Sequence, residues 1–422
     1  MERQILRLIL AVTACLLGIG WVLGGLALFA ACAPAALPTP VLTPTQPPPP
    51  PVPTLTPTPA PEWGIAFAAL MVSPEEVSAP DRPTRLYLIR PDGSNLEQLT
   101  GDIEYLAGMK ASPDGRYLLF VAEREDTTGN HVADYFDLSH LYVVDVQSGD
   151  ILTLTSGTAT DEWPGSASWS PDGRQIAFAS SDVNAPCAPC VCHGENCTPE
   201  VTEYHPHLYV MNLDGTGKRR LTPWEGEIKA VAWSPTGEWI AFEQIGVIWA
   251  IRPDGSEWHK VANASVEYWP PYHTRPFTWL AWSPDGSRIA FAAPGVNGTA
   301  DIFIANPDGS GLSNLTHHPA DDLQPAWSPD GQSIAFISNR RGNWAIYTMD
   351  VEGGGIREIF HSPDAQAVHP VWSPSGSQIA FTAGPELWKM HLFVIHLSGG
   401  HPHQLSEVLV MDPPAWILLS AR

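Results

Sequence analysis

A five-residue motif that recurs along most of the chain constrains the fold more than any other feature of this sequence. The motif reads Trp-Ser-Pro-Asp-Gly and is followed, after two residues, by an apolar triplet that ends in Phe; one copy runs from Trp169 to Phe178. The motif serine recurs at 112, 170, 234, 283, 328 and 373, at intervals of 58, 64, 49, 45 and 45 residues. Repeats of about 40–50 residues with strand and turn chemistry are typical of β-propellers.

Each repeat predicts four antiparallel strands. Ser-Pro-Asp-Gly favours a β-turn, because Pro fixes φ at the second position and Gly suits the fourth. The triplet Ile176-Ala177-Phe178 predicts a short buried strand. Further on, an Asp-Gly pair such as Asp214-Gly215 lies between two apolar runs, which is a strong hairpin signal. Four such strands make one propeller blade.

The two ends of the repeat region are incomplete in complementary ways. Ile65-Ala66-Phe67 is a second strand with no motif before it, and Pro414-Ala415-Trp416 is a first strand with no complete repeat after it. We expect the C-terminal strand to complete the first blade, because closure removes an exposed sheet edge. The prediction is an all-β, seven-bladed β-propeller over residues 62–422, with insertions at 122–140 and 181–207. Six or eight blades are the alternatives.

The first 32 residues predict a signal peptide or a membrane anchor. Arg3 and Arg7 precede 24 uncharged residues, Leu8 to Ala31, which is long enough to cross a bilayer as a helix. Alternatively, Phe29-Ala30-Ala31-Cys32 resembles a bacterial lipobox, in which Cys32 would be lipidated. Both alternatives predict that the remainder is extracytoplasmic and attached to the cell membrane or envelope.

Residues 33–61 predict a disordered spacer. They contain 13 prolines and 6 threonines, a composition that favours extended polyproline II and cannot form a core. The spacer would hold the propeller away from the membrane.

Charge excludes one class of partner. Acidic residues exceed basic ones by 45 − 22 = 23, whereas nucleic-acid binding depends on Lys and Arg that neutralise phosphates. We therefore expect no nucleic-acid partner.

The motif from Trp169 to Phe178 and its copies resemble the WD40-like propeller repeats of the TolB family, which also occur in prolyl oligopeptidase-type peptidases. The resemblance covers about residues 63–417 and implies the propeller fold. It implies function less directly, because propellers host many activities. TolB itself has an α/β domain ahead of its propeller, and nothing in this sequence resembles one. The peptidases carry a Gly-x-Ser-x-Gly nucleophile motif, which is absent from this sequence.

Four cysteines lie close together in the second insertion, at Cys187, Cys190, Cys192 and Cys197. An even number of close cysteines in an exported chain favours disulfides. Zinc is the alternative, although structural zinc sites commonly draw on two well-separated pairs. We expect two disulfides, and the spacing leaves all three pairings open.

Acidic and polar residues precede several motif tryptophans, where the chain crosses toward the central channel. In a propeller the innermost strands begin at one mouth of that channel, so these side chains are expected to converge there and to attract a cation or a basic peptide. The predicted ligand-binding residues are Glu104, Asp161, Glu162, Glu227, Asp321, Asp322, Gln324, His369 and Asp412. The alternative is that they are solvated loop residues of an acidic protein.

The sequence therefore predicts a non-catalytic binding or scaffold module, tethered outside the membrane, for a protein, peptide or envelope polymer. The alternative is a hydrolase or lyase with its site in the channel, using clustered carboxylates or a metal. No catalytic residue, resident cofactor or metal ligand is assigned, although the acidic mouth would suit a cation.

Overall fold

The structure is a computed structural model that describes residues 62–70, 83–104, 106–123, 139–155, 167–180, 191–193, 196–198, 207–224, 226, 228–264, 279–387, 389–410 and 412–419. The chain divides into two units, Met1–Thr58 and Pro59–Arg422, and all described residues belong to the second. The predicted leader or anchor (1–32) and the spacer (33–61) lie outside the described residues. Among those described, no helix is long and apolar enough to cross a membrane.

The described residues form a seven-bladed β-propeller, which confirms the predicted fold and blade number. Blade 1 begins with β1 (Glu62–Leu70), β2 (Pro83–Ile89), β3 (Glu97–Gln98) and β4 (Ile103–Glu104). Blade 2 has β5 (Ala107–Ala111), β6 (Tyr117–Glu123), β7 (Ser139–Asp145) and β8 (Ile151–Thr153). Blade 3 has β9 (Ala167–Trp169) and β10 (Gln175–Ser180), a separate hairpin of β11 (Val191–His193) and β12 (Asn196–Thr198), then β13 (His207–Asn212) and β14 (Arg219–Arg220).

The remaining four blades repeat the same order. Blade 4 has β15 (Ile228–Trp233), β16 (Ile240–Gln244), β17 (Val247–Ile251) and β18 (Trp258–Asn263). Blade 5 has β19 (Leu280–Trp282), β20 (Ile289–Pro294), β21 (Ala300–Ala305) and β22 (Ser313–Asn314). Blade 6 has β23 (Asp322–Trp327), β24 (Ser333–Arg341), β25 (Asn343–Asp350) and β26 (Arg357–Phe360). Blade 7 has β27 (Gln366–Trp372), β28 (Gln378–Gly384), β29 (His391–His396) and β30 (His403–Gln404).

The C-terminus closes the ring as the sequence predicts. The last strands, β31 (Leu409–Val410) and β32 (Ala415–Leu419), both pair antiparallel with β1. Blade 1 therefore takes its innermost strand from the C-terminus and its other strands from the N-terminal end of the propeller. Trp416 Nε1 also donates to Val371 O of blade 7 at 3.2 Å, which ties the closing strand to its neighbour.

Hydrogen bonds within the recurring turn explain why Ser and Asp recur in its sequence. In blade 3, Ser170 Oγ donates to Asp172 Oδ1 at 2.6 Å and accepts from Gln175 N at 2.9 Å. Gly173 takes a φ of 68°, a conformation that Gly adopts without steric cost. In blade 5 the equivalent serine hydroxyl, with further bonds from Ser287, lowers the pKa of Asp285 to about 2. The motif Asp is therefore a turn residue, held in its charged form.

The core lies between neighbouring blades. The Phe of each triplet is fully buried, and the seven are Phe67, Phe120, Phe178, Phe242, Phe291, Phe336 and Phe381. Four motif tryptophans use their indole N–H to bind a main-chain oxygen in the preceding blade; Trp327 Nε1, for example, donates to Ala281 O at 3.0 Å. These tryptophans pack the innermost strands of neighbouring blades against each other.

Candidate functional site

The channel mouth lies at the end of the propeller where the innermost strands begin, and we call this end the mouth face. The opposite end carries the Ser-Pro-Asp-Gly turns and is called the turn face. At the mouth face the innermost strands of blades 2, 6 and 7 each contain a β-bulge, with register shifts at Ala107/Lys110, Leu323/Ala326 and Val368/Val371. A bulge bends its strand and redirects one side chain.

Left-handed backbone marks the three bulges. Gly108, Gln324 and His369 have φ of 69°, 54° and 59°, and each lies three residues before the motif Trp or its substitute Ala111. For Gln and His this conformation costs on the order of 1 kcal/mol or more, and such strain is often found at functional sites. Two of the residues predicted from sequence, Gln324 and His369, therefore hold strained positions at equivalent places in adjacent blades.

Three residues from blades 5, 6 and 7 are linked here through His369, and we call Trp279, Gln324 and His369 the mouth cluster. His369 N donates to Gln324 Oε1 at 2.7 Å, and His369 Nδ1 lies 3.1 Å from Thr382 Oγ1. The rings of Trp279 and His369 are 5.7 Å apart at 46°. Trp279 is partly exposed and Gln324 is buried. The cluster thus combines an accessible aromatic ring with imidazole and amide groups.

Asp321 and Asp322 accept hydrogen bonds from residues of blades 5 and 6. Asp321 Oδ1 accepts from Ala300 N at 3.0 Å, and its Oδ2 accepts from Asn339 Nδ2 at 3.2 Å. Asp322 is fully buried and accepts two bonds from one terminal guanidinium nitrogen of Arg340, at 3.0 and 3.1 Å. The structure places both carboxylates in the walls of blades 5 and 6.

Burial dominates the electrostatics of Asp322. It raises the pKa of this carboxyl above its ordinary value, although hydrogen bonds from Ser338, Arg340 and Thr316 act in the opposite direction. The Arg340 side chain is only 14% exposed, so neither charge of the pair is well solvated.

The other predicted mouth residues lie in blade 1 or outside the described residues. Glu104 lies in β4, whose backbone pairs with β2 on the outer side of blade 1. Asp412 lies between β31 and β32 and is partly buried. Asp161, Glu162 and Glu227 lie outside the described residues. Of the predicted set, the structure brings Gln324 and His369 into direct contact.

A lysine crosses the channel below the mouth. Lys110, on the innermost strand of blade 2, donates from Nζ to Val231 O of blade 4 at 3.2 Å. The side chain therefore passes the innermost strand of blade 3. Burial lowers the pKa of Lys110 from 10.5 to about 8, so the amine still carries a proton at neutral pH for most of the time.

Sequence reasoning missed Lys110 and Trp279, and an alignment of the repeats on the motif Trp could have found both. Lys110 occupies the place that other blades fill with Ser168, Ala232, Ala281, Ala326, Val371 and Ala415. Trp279 aligns with Gln324 and His369, three residues before the motif Trp. Both stand out because they are large where their counterparts are small or polar.

The part of the propeller that is described offers no metal-binding set. Among these residues no three His, Cys, Asp or Glu side chains lie close enough together to hold an ion. Cys187, Cys190 and Cys32 lie outside the described residues. Cys192 and Cys197 are directly opposite each other in the β11–β12 hairpin, as Cα partners.

Comparison with known proteins agrees with the fold. Residues 277–417 match the family model described as the TolB beta propeller domain. The chain is 24% identical over 172 residues to the uncharacterized protein Atu1656 of Agrobacterium fabrum, covering 40% of this chain and 46% of that protein. It is 34% identical over 118 residues to the Tol-Pal system protein TolB of Anaeromyxobacter dehalogenans, covering 28% and 26%. The matches thus span less than half the length of these relatives.

Solved structures extend the likeness across the propeller. TolB from Acinetobacter baumannii superposes with a TM-score of 0.50 at 16% identity, covering 84% of this chain and 66% of that one. An oligogalacturonate lyase in complex with manganese gives 0.51 at 18%, covering 71% and 79%. At such identities the likeness shows the fold alone.

The fold and its repeats define a β-propeller of the WD40-like class. The matched domain model over residues 277–417 and the local similarity to TolB show that the chain carries a TolB-like β-propeller.

Proposed function

We propose that this protein is an extracytoplasmic, membrane-tethered binding or scaffold module, and that its mouth face engages a protein, peptide or envelope polymer. The observation that carries the proposal is the mouth cluster. Trp279, Gln324 and His369 come from three consecutive blades, and two of them have strained backbone held in place by a hydrogen bond between blades. A rigid aromatic residue beside hydrogen-bonding groups is typical of an interaction surface.

The predicted leader and spacer support the location. An apolar segment of 24 residues, followed by a proline-rich stretch, suits a propeller held outside the membrane. The likeness to TolB supports a role in binding.

Site-specific photocrosslinking in whole cells tests the proposal. A photoreactive amino acid at Trp279 should give a discrete adduct, because this side chain is accessible at the mouth face. The same residue at Leu312, which is 53% exposed on the turn face, is the matched control and should give no such adduct. Equal adducts from both positions, or none from Trp279, would contradict a partner at the mouth.

The location is tested separately by the accessibility of the propeller to a protease added outside the cytoplasmic membrane. Digestion in spheroplasts, with the protein remaining in the membrane fraction beforehand, is the expected result. Protection until the membrane is lysed would contradict an extracytoplasmic propeller.

A further inference from the structure

The turn face is interrupted at the place where the ring closes. Six blades join their first and second strands through a four-residue turn; in blade 3 the pairing of these strands ends at Trp169↔Ile176, where the turn follows. In blade 1 the two strands come from opposite ends of the chain. Their pairing continues for three more residue pairs, Gly64↔Ile417, Trp63↔Leu418 and Glu62↔Leu419. Strands β1 and β32 therefore extend into the layer that turns occupy elsewhere.

A pocket of about 390 Å³ lies where these extended strands face blade 7. Ligand sites usually have volumes of about 300–1,000 Å³, so the pocket has room for a small ligand. Its lining includes Glu62, Trp63, Arg90, Gln378, His396 and Trp416. We call this the seam pocket.

The seam pocket presents indole beside paired polar groups. Trp63 is partly exposed, whereas Trp416 is 9% exposed. Arg90 donates from its guanidinium to Glu62 Oε2 at 2.8 Å. Gln378 Nε2 lies 2.9 Å from His396 Nε2. The pocket thus has one apolar wall and two preformed pairs that offer both donors and acceptors.

The turn of blade 7 lacks the acidic residue that four of the other turns carry at this place. Its third residue is Ser375, where blades 2, 3, 5 and 6 have Asp. Ser375 Oγ lies 3.1 Å from Ser373 Oγ and 2.7 Å from Ser377 Oγ. The substitution removes a negative charge from the pocket wall and leaves a hydroxyl group.

These features select among ligand classes. An anion is disfavoured, because Glu62 and Asp92 outnumber Arg90 in the lining. A wholly apolar ligand would bury the ion pair without compensating hydrogen bonds. Addition of a peptide strand needs a free sheet edge, but β1 already pairs with β2 on one side and β32 on the other. A neutral ring that carries hydroxyl groups satisfies both the indole wall and the polar pairs.

We propose that the seam pocket binds a neutral saccharide, whose apolar ring face packs on Trp63 and whose hydroxyl groups bond to Arg90, Glu62, Gln378 and His396. This site lies on the face opposite the mouth cluster and does not require a partner there. It gives the protein a glycan contact at the turn face in addition to any partner at the mouth.

Calorimetric titration of the full-length protein in detergent tests the proposal. The probes are cellotetraose and the tetrasaccharide of β-1,4-linked N-acetylglucosamine, since both are neutral and have flat ring faces. At least one should bind the parent protein. Trp63→Ala should weaken binding by roughly tenfold or more, the loss of about one good aromatic contact. Trp258→Ala is the matched control, because Trp258 is 48% exposed and lies outside the pocket.

A second variant distinguishes a loss of binding from a loss of folding. His396→Ala changes an exposed residue, so it should keep the parent melting temperature and still weaken the saccharide several-fold. The proposal is overturned if neither probe binds the parent, if Trp63→Ala and His396→Ala bind as the parent does, or if Trp258→Ala loses as much. The proposal is also overturned if a proline-rich peptide from the spacer, with the sequence of residues 44–56, binds the pocket more tightly than the saccharides do. None of these results affects crosslinking from Trp279, so the two proposals fail independently.

Discussion

Lys110 adds a positively charged side chain to the innermost strands, which line the channel. The equivalent residues of the other six blades are alanine, serine or valine, whereas Lys110 reaches from blade 2 to Val231 of blade 4 with a long cationic side chain. The repeats reveal that Lys110 is unusual, but its contact with Val231, 121 residues away, depends on how three blades stand in the ring. No local pattern encodes that geometry, so only the position could be predicted from the sequence.

The buried amine should make stability depend on pH. The pKa of Lys110 is about 8 in the folded protein against 10.5 for the ordinary value, so between these pH values the unfolded chain binds more protons and stability rises with pH. Below pH 8 the charged amine lowers stability by up to about 3 kcal/mol, offset by roughly 1 kcal/mol from its hydrogen bond. Lys110→Met should therefore be more stable than the parent at pH 7, and the difference should shrink from pH 8 to above 10.5.

Urea unfolding of both proteins across this range measures the difference. Lys260→Met, an exposed position on β18, is the control for the loss of one amine. A Lys110→Met variant that is less stable than the parent at pH 7 would contradict the prediction.

The pair Asp322–Arg340 leads to a second prediction at this scale. Removing Asp322 would leave Arg340 buried without its counter-charge, which typically costs about 3–5 kcal/mol. Asp322→Ala should lower the free energy of unfolding by this amount, and Asp322→Leu with Arg340→Met should recover most of it. Asp102→Ala breaks the exposed pair with Arg85 and should cost less than about 1 kcal/mol. Equal losses for Asp322→Ala and Asp102→Ala in denaturant melts would show that burial does not set the cost.

At the scale of the strand, turns were easier to predict than bulges. The Ser-Pro-Asp-Gly turns follow from local chemistry, and the structure confirms them with the hydrogen bonds that the motif needs. The bulges at Gln324 and His369 replace a glycine, found at Gly108 in blade 2, with residues that pay a conformational cost. Local propensity argues against that conformation, and the bond between His369 N and Gln324 Oε1 overrides it. Two of the three residues of the mouth cluster could thus be named from the sequence, but the contacts between them could not.

The β11–β12 hairpin makes the predicted disulfides specific. Cα atoms of directly opposed residues in an antiparallel pair are about 4.5–5.5 Å apart, within the range of about 4.4–6.8 Å that a disulfide spans. Cys192 and Cys197 are such a pair. We therefore expect a Cys192–Cys197 bond, which leaves Cys187 to bond with Cys190.

Peptide mapping of the alkylated, non-reduced protein checks this pairing. Cys192→Ser should free the thiol of Cys197 and leave the Cys187–Cys190 bond in place. A peptide that joins Cys192 to Cys187 or Cys190 would contradict the register argument, and four alkylated thiols would contradict the disulfides altogether.

The whole ring depends on the strand that the C-terminus contributes. The incomplete repeats at the two ends of the propeller region predicted this closure, and the pairing of β32 with β1 confirms it. The extension of both strands past the turn layer, which creates the seam pocket, was not predicted, because no motif marks where pairing stops when a turn is missing. The same extension places Leu418 against the turn of blade 2. A β-carbon added to Gly115 would lie 2.6 Å from Leu418 N.

Alanine substitutions of two glycines in equivalent turns can therefore test how closely the closing strand packs against blade 2. Gly115 and Gly173 have φ of 69° and 68°, so replacing either with Ala imposes the same backbone strain, about 1 kcal/mol. The added methyl at Gly173 would meet only Pro113 Cδ, at 3.8 Å, whereas at Gly115 it would collide with the main chain of β32. Gly115→Ala should therefore destabilise the protein by a further ~1–3 kcal/mol, as overpacking does, and should lower the melting temperature more than Gly173→Ala.

A truncated protein that ends at residue 414 is the control, because it lacks β32 and the collision is absent. In this truncated protein the two variants should have the same melting temperature. The truncated protein should also melt at a lower temperature than the full-length protein, because β1 is left as an open edge. If Gly115→Ala and Gly173→Ala melt together in the full-length protein, the contact of the closing strand with blade 2 contributes nothing to the stability of the ring.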